Sequence, residues 1–310
     1  MLTLLAGSFL GASMGANDAA NCFGTAVSSR LVSWRHAAFL AAGFVVLGAV
    51  TQGEAGLATL QGLTPQNSTS AGLAALAAGL TVAGMTLLRL PVSASQAVVG
   101  AMVGVSVLGG GLNRGPLGKI VLCWVGTPLG AMLMAFVLYF ILRLPLRWLR
   151  PSLFTMDPIL RLGLLACGCY GAHALGANNV ANVASFLIAG GGLTPSAAVA
   201  VGGVTIALGI LLFSRGVMMT VGRGITPLDG FSALVVVLAQ GVTVHLYALL
   251  GVPVSTSQAM VGAVLGMGLV KGVQILNLGT LGRVLLGWAM TPFVAAALGA
   301  GLAVVSRASH

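Results

Sequence analysis

Polar side chains able to bind a small cation interrupt two long apolar stretches of the chain. They are Asn17, Asp18 and Asn21 in the first stretch and Asn178, Asn179 and Asn182 in the second. Carboxylate and amide oxygens are hard ligands, and they suit a hard cation such as sodium. Such amides can also serve only to join helices by hydrogen bonds, but two matching copies make that interpretation the weaker one. We therefore predict that these six residues form a cation site.

A second kind of chemistry is suggested by the segment Pro-Val-Ser-x-Ser-Gln, which occurs at residues 91–96 and again at 253–258. Pro suits the first turn of a helix, and a nearby Ser can cap the free backbone N–H groups there. A helix that begins inside a membrane directs those groups and its positive dipole end into the protein, which makes an anion site. Two copies predict a site for a tetrahedral oxyanion, with donors from Ser93, Ser95, Gln96, Ser255, Thr256, Ser257 and Gln258.

Arg89 adds a positive charge two residues before Pro91, where the second copy has Gly251. A guanidinium binds tetrahedral oxyanions well through its fork of N–H donors. We expect Arg89 to contact the substrate or to balance the charge of Asp18. The alternative is that its long side chain extends away to an aqueous surface.

The elements that carry these groups come from an internal repeat. The sequence GANDAAN at residues 15–21 recurs as GANNVAN at an offset of 161, and the Pro-Val-Ser segment recurs at an offset of 162. A third match pairs the residues around Trp124 with those around Trp288. Matches in the same order at a nearly constant offset indicate two homologous halves, residues 1–150 and 151–310.

Composition places both halves in a membrane. The 310 residues are 58% hydrophobic and only 6% charged, and 46 of them are Gly. A soluble domain needs about a quarter charged residues to cover its surface, so a soluble globule is excluded. Apolar stretches with short polar interruptions are typical of spans of about 20 residues, and frequent Gly suits close helix packing. The chain is predicted to be an all-α polytopic membrane protein surrounded by a lipid bilayer.

Charge and residue content argue against two other classes. The net charge of +10 comes from scattered Lys and Arg without a basic run interleaved with aromatics, so nucleic-acid binding is not expected. With four His, four acids and no Ser/His/Asp or metal-ligand constellation, no enzyme activity or cofactor is expected either. His173 and His245 are candidate proton carriers, although a lone His on an apolar helix face is more often structural.

The basic residues predict how the halves are oriented. Arg30 and Arg35 follow the first span, and others cluster at the junction of the halves. They all lie on the cytoplasmic side if each half has three crossings, the first of them broken, plus a re-entrant helical hairpin with its tip near Pro91 or Pro253. Both termini then lie outside. An odd number of crossings inverts the second half, and inverted-topology repeats are typical of secondary transporters with sites near mid-membrane.

These motifs resemble those of the inorganic phosphate transporter (PiT) family, which includes sodium–phosphate symporters and related sulfate permeases. The resemblance covers nearly the whole chain and is carried by residues 15–25, their second-half counterpart and both Pro-Val-Ser segments. It implies sodium- or proton-driven uptake of phosphate across the plasma (inner) membrane, often by a homodimer. It also implies cation coordination by Asn17, Asp18, Asn21, Asn178 and Asn182, and oxyanion binding by Ser93, Ser95, Ser255, Thr256 and Ser257.

Asn179 departs from the family pattern, because phosphate-transporting relatives typically have Asp there and sulfate permeases are Asn-rich. Phosphate near neutral pH has an O–H that a carboxylate can accept, whereas sulfate has none and would face a like charge. Asp18 keeps one such acceptor, so phosphate is the first expectation and sulfate the alternative. A passive anion channel is a third interpretation, and symmetric hairpins beside a buried Asp favour alternating access over it.

Overall fold

The chain is helical throughout the parts that the structure describes. The computed structural model describes residues 1–88, 92–149, 152–224, 228–272 and 278–308. Within these ranges it forms twelve helices: α1 (Leu2–Ser28), α2 (Trp34–Gln52), α3 (Leu57–Gln61), α4 (Ser68–Leu87), α5 (Ala94–Gly109), α6 (Arg114–Leu149), α7 (Leu153–Ala189), α8 (Pro195–Phe213), α9 (Arg215–Gly224), α10 (Gly230–Leu249), α11 (Thr256–Lys271) and α12 (Leu278–Ala308).

Many of these helices can cross a bilayer. Seven of those described are long and apolar enough, namely α2, α4, α6, α7, α8, α10 and α12. α1 has 27 residues and is also long enough at about 1.5 Å per residue, but its Asn and Asp residues make it less hydrophobic. The protein is a multi-pass membrane protein, as its composition predicts.

The two halves contain the same elements in the same order. In the first half, the crossings are α1, α2 and α6, and the chain between α2 and α6 forms the short helix α3 and a hairpin of α4 and α5. In the second half, the crossings are α7, α8 and α12, and the chain between α8 and α12 forms the short helix α9 and a hairpin of α10 and α11. This is the predicted plan of two inverted repeats, in which three crossings turn the second half upside down relative to the first.

The halves interlock and do not fold side by side. α5 packs mainly against α12, and α11 packs mainly against α6, so the second arm of each hairpin lies on the last helix of the other half. α1 likewise packs on α8, and α2 packs on α7. Each half therefore completes its packing only in the presence of the other.

Glycines allow the hairpins to approach these partner helices closely. Gly262 of α11 lies against the backbone carbonyl of Pro128 in α6, and Gly100 of α5 lies against that of Pro292 in α12. A Cβ at either glycine would overlap the carbonyl oxygen. Small residues serve the same purpose in membrane helices generally, because they let backbones come into contact.

The predicted break in the first crossing of each half is wrong. α1 is continuous through residues 15–21, and α7 is continuous through residues 176–182. The polar motif does not unwind these helices because its side chains bind one another and the hairpins, while the backbone hydrogen bonds stay within the helix. Residues 13–27 of α1 are all buried, so the motif lies in the most shielded part of the protein.

Candidate central ion and oxyanion site

The tips of the two hairpins meet in the interior of the protein. Ser257, at the start of α11, donates a hydrogen bond of 2.8 Å from its Oγ to the carbonyl oxygen of Val92, just before α5. The predicted oxyanion-binding residues of both tips are all buried: Ser93, Ser95, Gln96, Ser255, Thr256, Ser257 and Gln258. The structure thus brings these residues together. Arg89 and Pro91 lie outside the described residues.

Each tip is also the capped start of a helix. The Oγ of Ser93 accepts a hydrogen bond from the backbone N–H of Gln96 at 3.4 Å, and the Oγ of Ser255 accepts one from that of Gln258 at 3.3 Å. Other N–H groups of a first helical turn have no partner within the helix. Two positive helix ends therefore meet in the same region, and this arrangement favours a bound anion.

Asp18 supplies the negative charge of this region. It is 1% exposed, and it is the one buried residue among the four acids of the chain. Its Oδ2 accepts a hydrogen bond of 2.6 Å from the Nδ2 of Asn179, whereas its Oδ1 has no partner among the described residues. One carboxylate oxygen is therefore left for a ligand.

Asn178 fastens α7 to the tip of the second hairpin. Its Oδ1 accepts a hydrogen bond of 3.0 Å from the backbone N–H of Val254, and its Nδ2 donates one of 2.8 Å to the Val254 carbonyl. The same Nδ2 donates to the Oδ1 of Asn179 at 2.7 Å. Because both amide atoms are engaged, Asn178 positions the tip and orients Asn179 towards Asp18.

Asn17 and Asn21 join α1 to both hairpins. Asn17 donates from Nδ2 to the Oγ1 of Thr86 in α4 at 2.9 Å. Asn21 donates from Nδ2 to the Oγ1 of Thr256 in α11 at 3.0 Å. Movement of either hairpin tip would therefore disturb the motif of α1.

Several buried polar atoms at the centre have no partner in the described ranges. Both amide atoms of Asn182 lack one, as do the Oε1 atoms of Gln96 and Gln258. The repeat counterpart of Asn182 is Asn21, which binds Thr256, but the first hairpin has Ala94 where the second has Thr256. An unsatisfied buried polar group costs about 1–3 kcal/mol. Amide oxygens of this kind and the Oδ1 of Asp18 are ligand types that a hard cation prefers.

Comparison with known proteins identifies the family to which this chain belongs. The model of the phosphate transporter family matches residues 14–156 and 151–299, which is most of the chain. The chain belongs to the phosphate transporter family.

Individual relatives of this family member agree with that assignment. A Methanocaldococcus jannaschii protein, provisionally named a phosphate permease, is 29% identical over 92% of this chain and 91% of its own length. A sulfate permease of Bacillus subtilis is 30% identical over 95% of this chain and 84% of its own length. A solved structure described as the sodium-dependent phosphate transporter is 25% identical, with a TM-score of 0.84 over 99% of this chain and 98% of that one.

Some contacts at the centre of this transporter were not expected from the sequence. Thr86 holds Asn17, and the backbones of Val92 and Val254 bind Ser257 and Asn178. Thr86 precedes Pro91 by five residues, so its position near a predicted tip was an available signal. Backbone carbonyls leave no signal in a sequence, because every residue has one.

His173 and His245 lie together in a partly exposed cluster. Their rings are 5.5 Å apart, and His245 contacts the hydroxyl of Tyr170 at 2.8 Å and the Oε1 of Gln52 at 2.6 Å. His173 contacts Thr51 at 3.3 Å. Both side chains thus have polar partners at the C-terminal end of α2, which agrees with the structural interpretation of these residues.

Proposed function

We propose that this member of the family is a secondary active transporter that carries inorganic phosphate into the cell across the plasma membrane together with a cation. Sodium is the first candidate for that cation, and the proton is the second. The observation that supports the proposal is the meeting of two capped helix starts, one from each inverted half, beside a single buried carboxylate.

The geometry offers a physical reason for coupling. An isolated charge is very costly to bury at this depth. An oxyanion between the helix starts and a cation on the Oδ1 of Asp18 would each reduce the cost of burying the other. In this proposal the serine hydroxyls bind the anion, the free oxygens of Asp18 and Asn182 bind the cation, and Asn178 positions the second tip.

Phosphate is preferred to sulfate because of the free oxygen of Asp18. A carboxylate oxygen has two lone pairs, so the Oδ1 of Asp18 can accept the O–H of hydrogen phosphate beside a bound cation, whereas sulfate would offer it no proton. Sulfate is the second candidate. It is supported by Asn179, which carries no charge, and by the similarity to the sulfate permease of Bacillus subtilis.

The inverted repeats support alternating access over a passive channel, since two matching halves can exchange conformations about a shared site. No catalytic role is proposed for any residue. Assembly as a homodimer stays a prediction, which the mass of the purified protein in detergent would test.

Uptake into proteoliposomes tests the proposed function. With labelled phosphate outside and an inward sodium gradient, we expect accumulation above the external concentration, and dissipating the gradient should stop it. Equilibration without accumulation would indicate a channel. Sulfate uptake that excess phosphate does not inhibit would show that the substrate is sulfate and not phosphate.

Replacing Asp18 by Asn tests the cation assignment. The substitution keeps the shape of the side chain but removes its charge, so we expect the sodium dependence of uptake to be lost. Asp157→Asn is the matched control, because Asp157 is exposed near the start of α7. Sodium dependence that is the same in both variants would contradict the role of Asp18.

A further inference from the structure

Two adjoining cavities lie between the hairpin of the first half and the helices α7 and α12. The larger, of 280 Å³, is lined among others by Ser70 of α4, Ser106 of α5 and Arg307 of α12. The smaller, of 150 Å³, reaches Ser185 of α7. Both are lined by Thr64, Gln66 and Met102, so they adjoin each other. We call this space the vestibule and define it by Thr64, Gln66, Ser70, Ser106, Ser185 and Arg307.

The vestibule lies at the end of the bundle where α4 begins and α12 ends. Each cavity far exceeds the roughly 15 Å³ that one water molecule needs, so the space can hold a solvated small ion. The same end of the bundle carries the start of α1 and the end of α12, and the distribution of basic residues predicts that this end lies outside the cell. The vestibule is therefore on the side from which an imported anion would arrive.

A polar stripe on α7 connects the vestibule with the central site. Asn178, Asn182 and Ser185 are spaced by four and three residues, so they lie on one face of the helix. Asn182 and Ser185 are buried, with 0% and 3% exposure, and their side-chain polar atoms have no partner in the described part of the chain. Unsatisfied polar groups inside a membrane protein are costly, and they persist where they line a hydrated or ligand-binding path.

The charge of the vestibule selects anions. Arg307 lies in its lining, the other polar side chains described there are hydroxyls and amides, and none of the described lining residues is acidic. A guanidinium matches the charge and geometry of a tetrahedral oxyanion. The hydroxyls of Ser70 and Ser106 donate to the carbonyl oxygens of Asn67 and Val103, and each would turn to donate to a bound anion.

We propose that the vestibule is a second oxyanion-binding site, distinct from the one between the hairpin tips, which takes up phosphate or sulfate before it reaches the centre. The anion binds near Arg307, Ser70 and Ser106 and then passes Ser185 and Asn182 to the tips. This inference rests on the proposed function for the direction of travel. The binding site itself depends only on the contents of the cavity.

Thiol labelling tests the site without relying on transport. In a chain whose four cysteines have been replaced, Ser185→Cys is exposed in intact spheroplasts to a membrane-impermeant anionic methanethiosulfonate reagent. Thr3→Cys is the matched control, because Thr3 is also buried near this end of the bundle but does not line the vestibule. We expect Ser185→Cys to react several times faster, and saturating phosphate or sulfate to slow its reaction. Equal rates in the two variants, or a rate that neither anion changes, would overturn the proposal.

Uptake kinetics provide a second test with only the native cysteines present. Removing one charge-assisted contact at a partly solvated position should raise the KM for external phosphate about threefold to tenfold in Arg307→Gln while leaving Vmax unchanged. Arg307→Lys should restore most of the affinity. Arg161→Gln, which removes an exposed charge at the opposite end of α7, should have no effect. The same KM in Arg307→Gln and Arg161→Gln, or a loss confined to Vmax, would contradict the site.

The two tests separate the inference from the proposed function. If the wild-type protein transports neither anion but phosphate still protects the cysteine at position 185, the proposed function fails and the vestibule site stands. If uptake is sodium-driven and saturable but Arg307→Gln and the labelling show no effect, the vestibule site fails and the proposed function stands.

Discussion

Homologous amides in the two halves of this protein make different hydrogen bonds. Asn178 binds the backbone of Val254 through both of its amide atoms, whereas its counterpart Asn17 makes one bond, to Thr86. Asn21 binds Thr256, whereas Asn182 has no described partner. The central site is therefore asymmetric, and Asp18 and Asn182, where we propose that the cation binds, each keep an acceptor oxygen without a described partner.

Replacing Asn178 by Ala tests this asymmetry at the residue scale. The variant leaves the buried N–H and carbonyl of Val254 without partners, at about 1–3 kcal/mol for each group. We expect a drop of several degrees in the apparent melting temperature in detergent, accompanied by a loss of uptake. Asn17→Ala removes a single side-chain bond and should have the smaller effect. Equal shifts in the two variants would contradict the positioning role of Asn178.

The hairpins are the elements that place the oxyanion site, and each is held by the other half. Gly262 brings α11 into backbone contact with α6, and Gly100 does the same for α5 and α12. At its base the second hairpin also has an ion pair between Lys271 and Asp229. The tips can meet only if both hairpins pack fully against the helices of the other half. This packing is therefore required to form the site.

Replacing Gly262 by Val should therefore unseat the second hairpin. The added side chain would overlap the carbonyl oxygen of Pro128, and overpacking of this kind typically costs about 1–3 kcal/mol. We expect a lower melting temperature and a weakened response of stability to phosphate. Gly43→Val in α2 is the matched control, because a Cβ there meets nothing within 4 Å. A control that loses as much stability would show that the contact with α6 is unimportant.

The ion pair at the hairpin base makes a prediction about pH. Burial tends to raise the pKa of Asp229, but hydrogen bonds from Lys271 and Ser232 outweigh it and hold the pKa below the usual 3.8. The pair thus stabilises the fold above that pH, and its contribution is lost as the pH falls through the lowered value. Because Asp229 is 55% exposed, Lys271→Gln should cost no more than about 1 kcal/mol at pH 7. Melting temperatures measured at pH 7 and at a series of pH values below 3.8 check this, and a difference from the wild type that does not shrink along that series would contradict it.

On the scale of the whole molecule, each repeat packs several of its helices against helices of the other repeat. The pairs α5 with α12, α6 with α11, α1 with α8 and α2 with α7 all join one half to the other. Neither half has a complete core of its own, even though each has a complete set of crossings. An interface shared in this way lets the two halves respond together to a ligand bound between them.

Expressing the halves separately tests this interdependence. Residues 1–150 and 151–310 carrying different tags should copurify when they are produced together, and each should be degraded or aggregate when it is produced alone. As a control, two differently tagged copies of the same half should not copurify. A single half that yields a stable, monodisperse protein would show that the exchanged contacts are dispensable.

Much of this architecture could be predicted because it depends on local patterns in the sequence. The repeat is visible in GANDAAN and Pro-Val-Ser, and low charge content places the chain in a membrane. Three crossings per half follow from the basic residues. The prediction failed at the continuity of α1 and α7, because polar residues such as Asn17 and Asn178 were expected to break helices that their distant partners in fact satisfy.

The sequence alone determined the class of protein, the two halves, the family and the side chains gathered at the centre, since these depend on residue type and spacing. Only the tertiary structure decided which amide binds which partner, that Asn182 and Ser185 lack partners among the described residues, and that Ser185 lines a polar vestibule. The reason is physical. Hydrogen bonds and cavities depend on how closely helices approach one another, and many of these helices are more than 150 residues apart in the chain. Asn21 meets Thr256 across 235 residues, and no local pattern encodes such a distance.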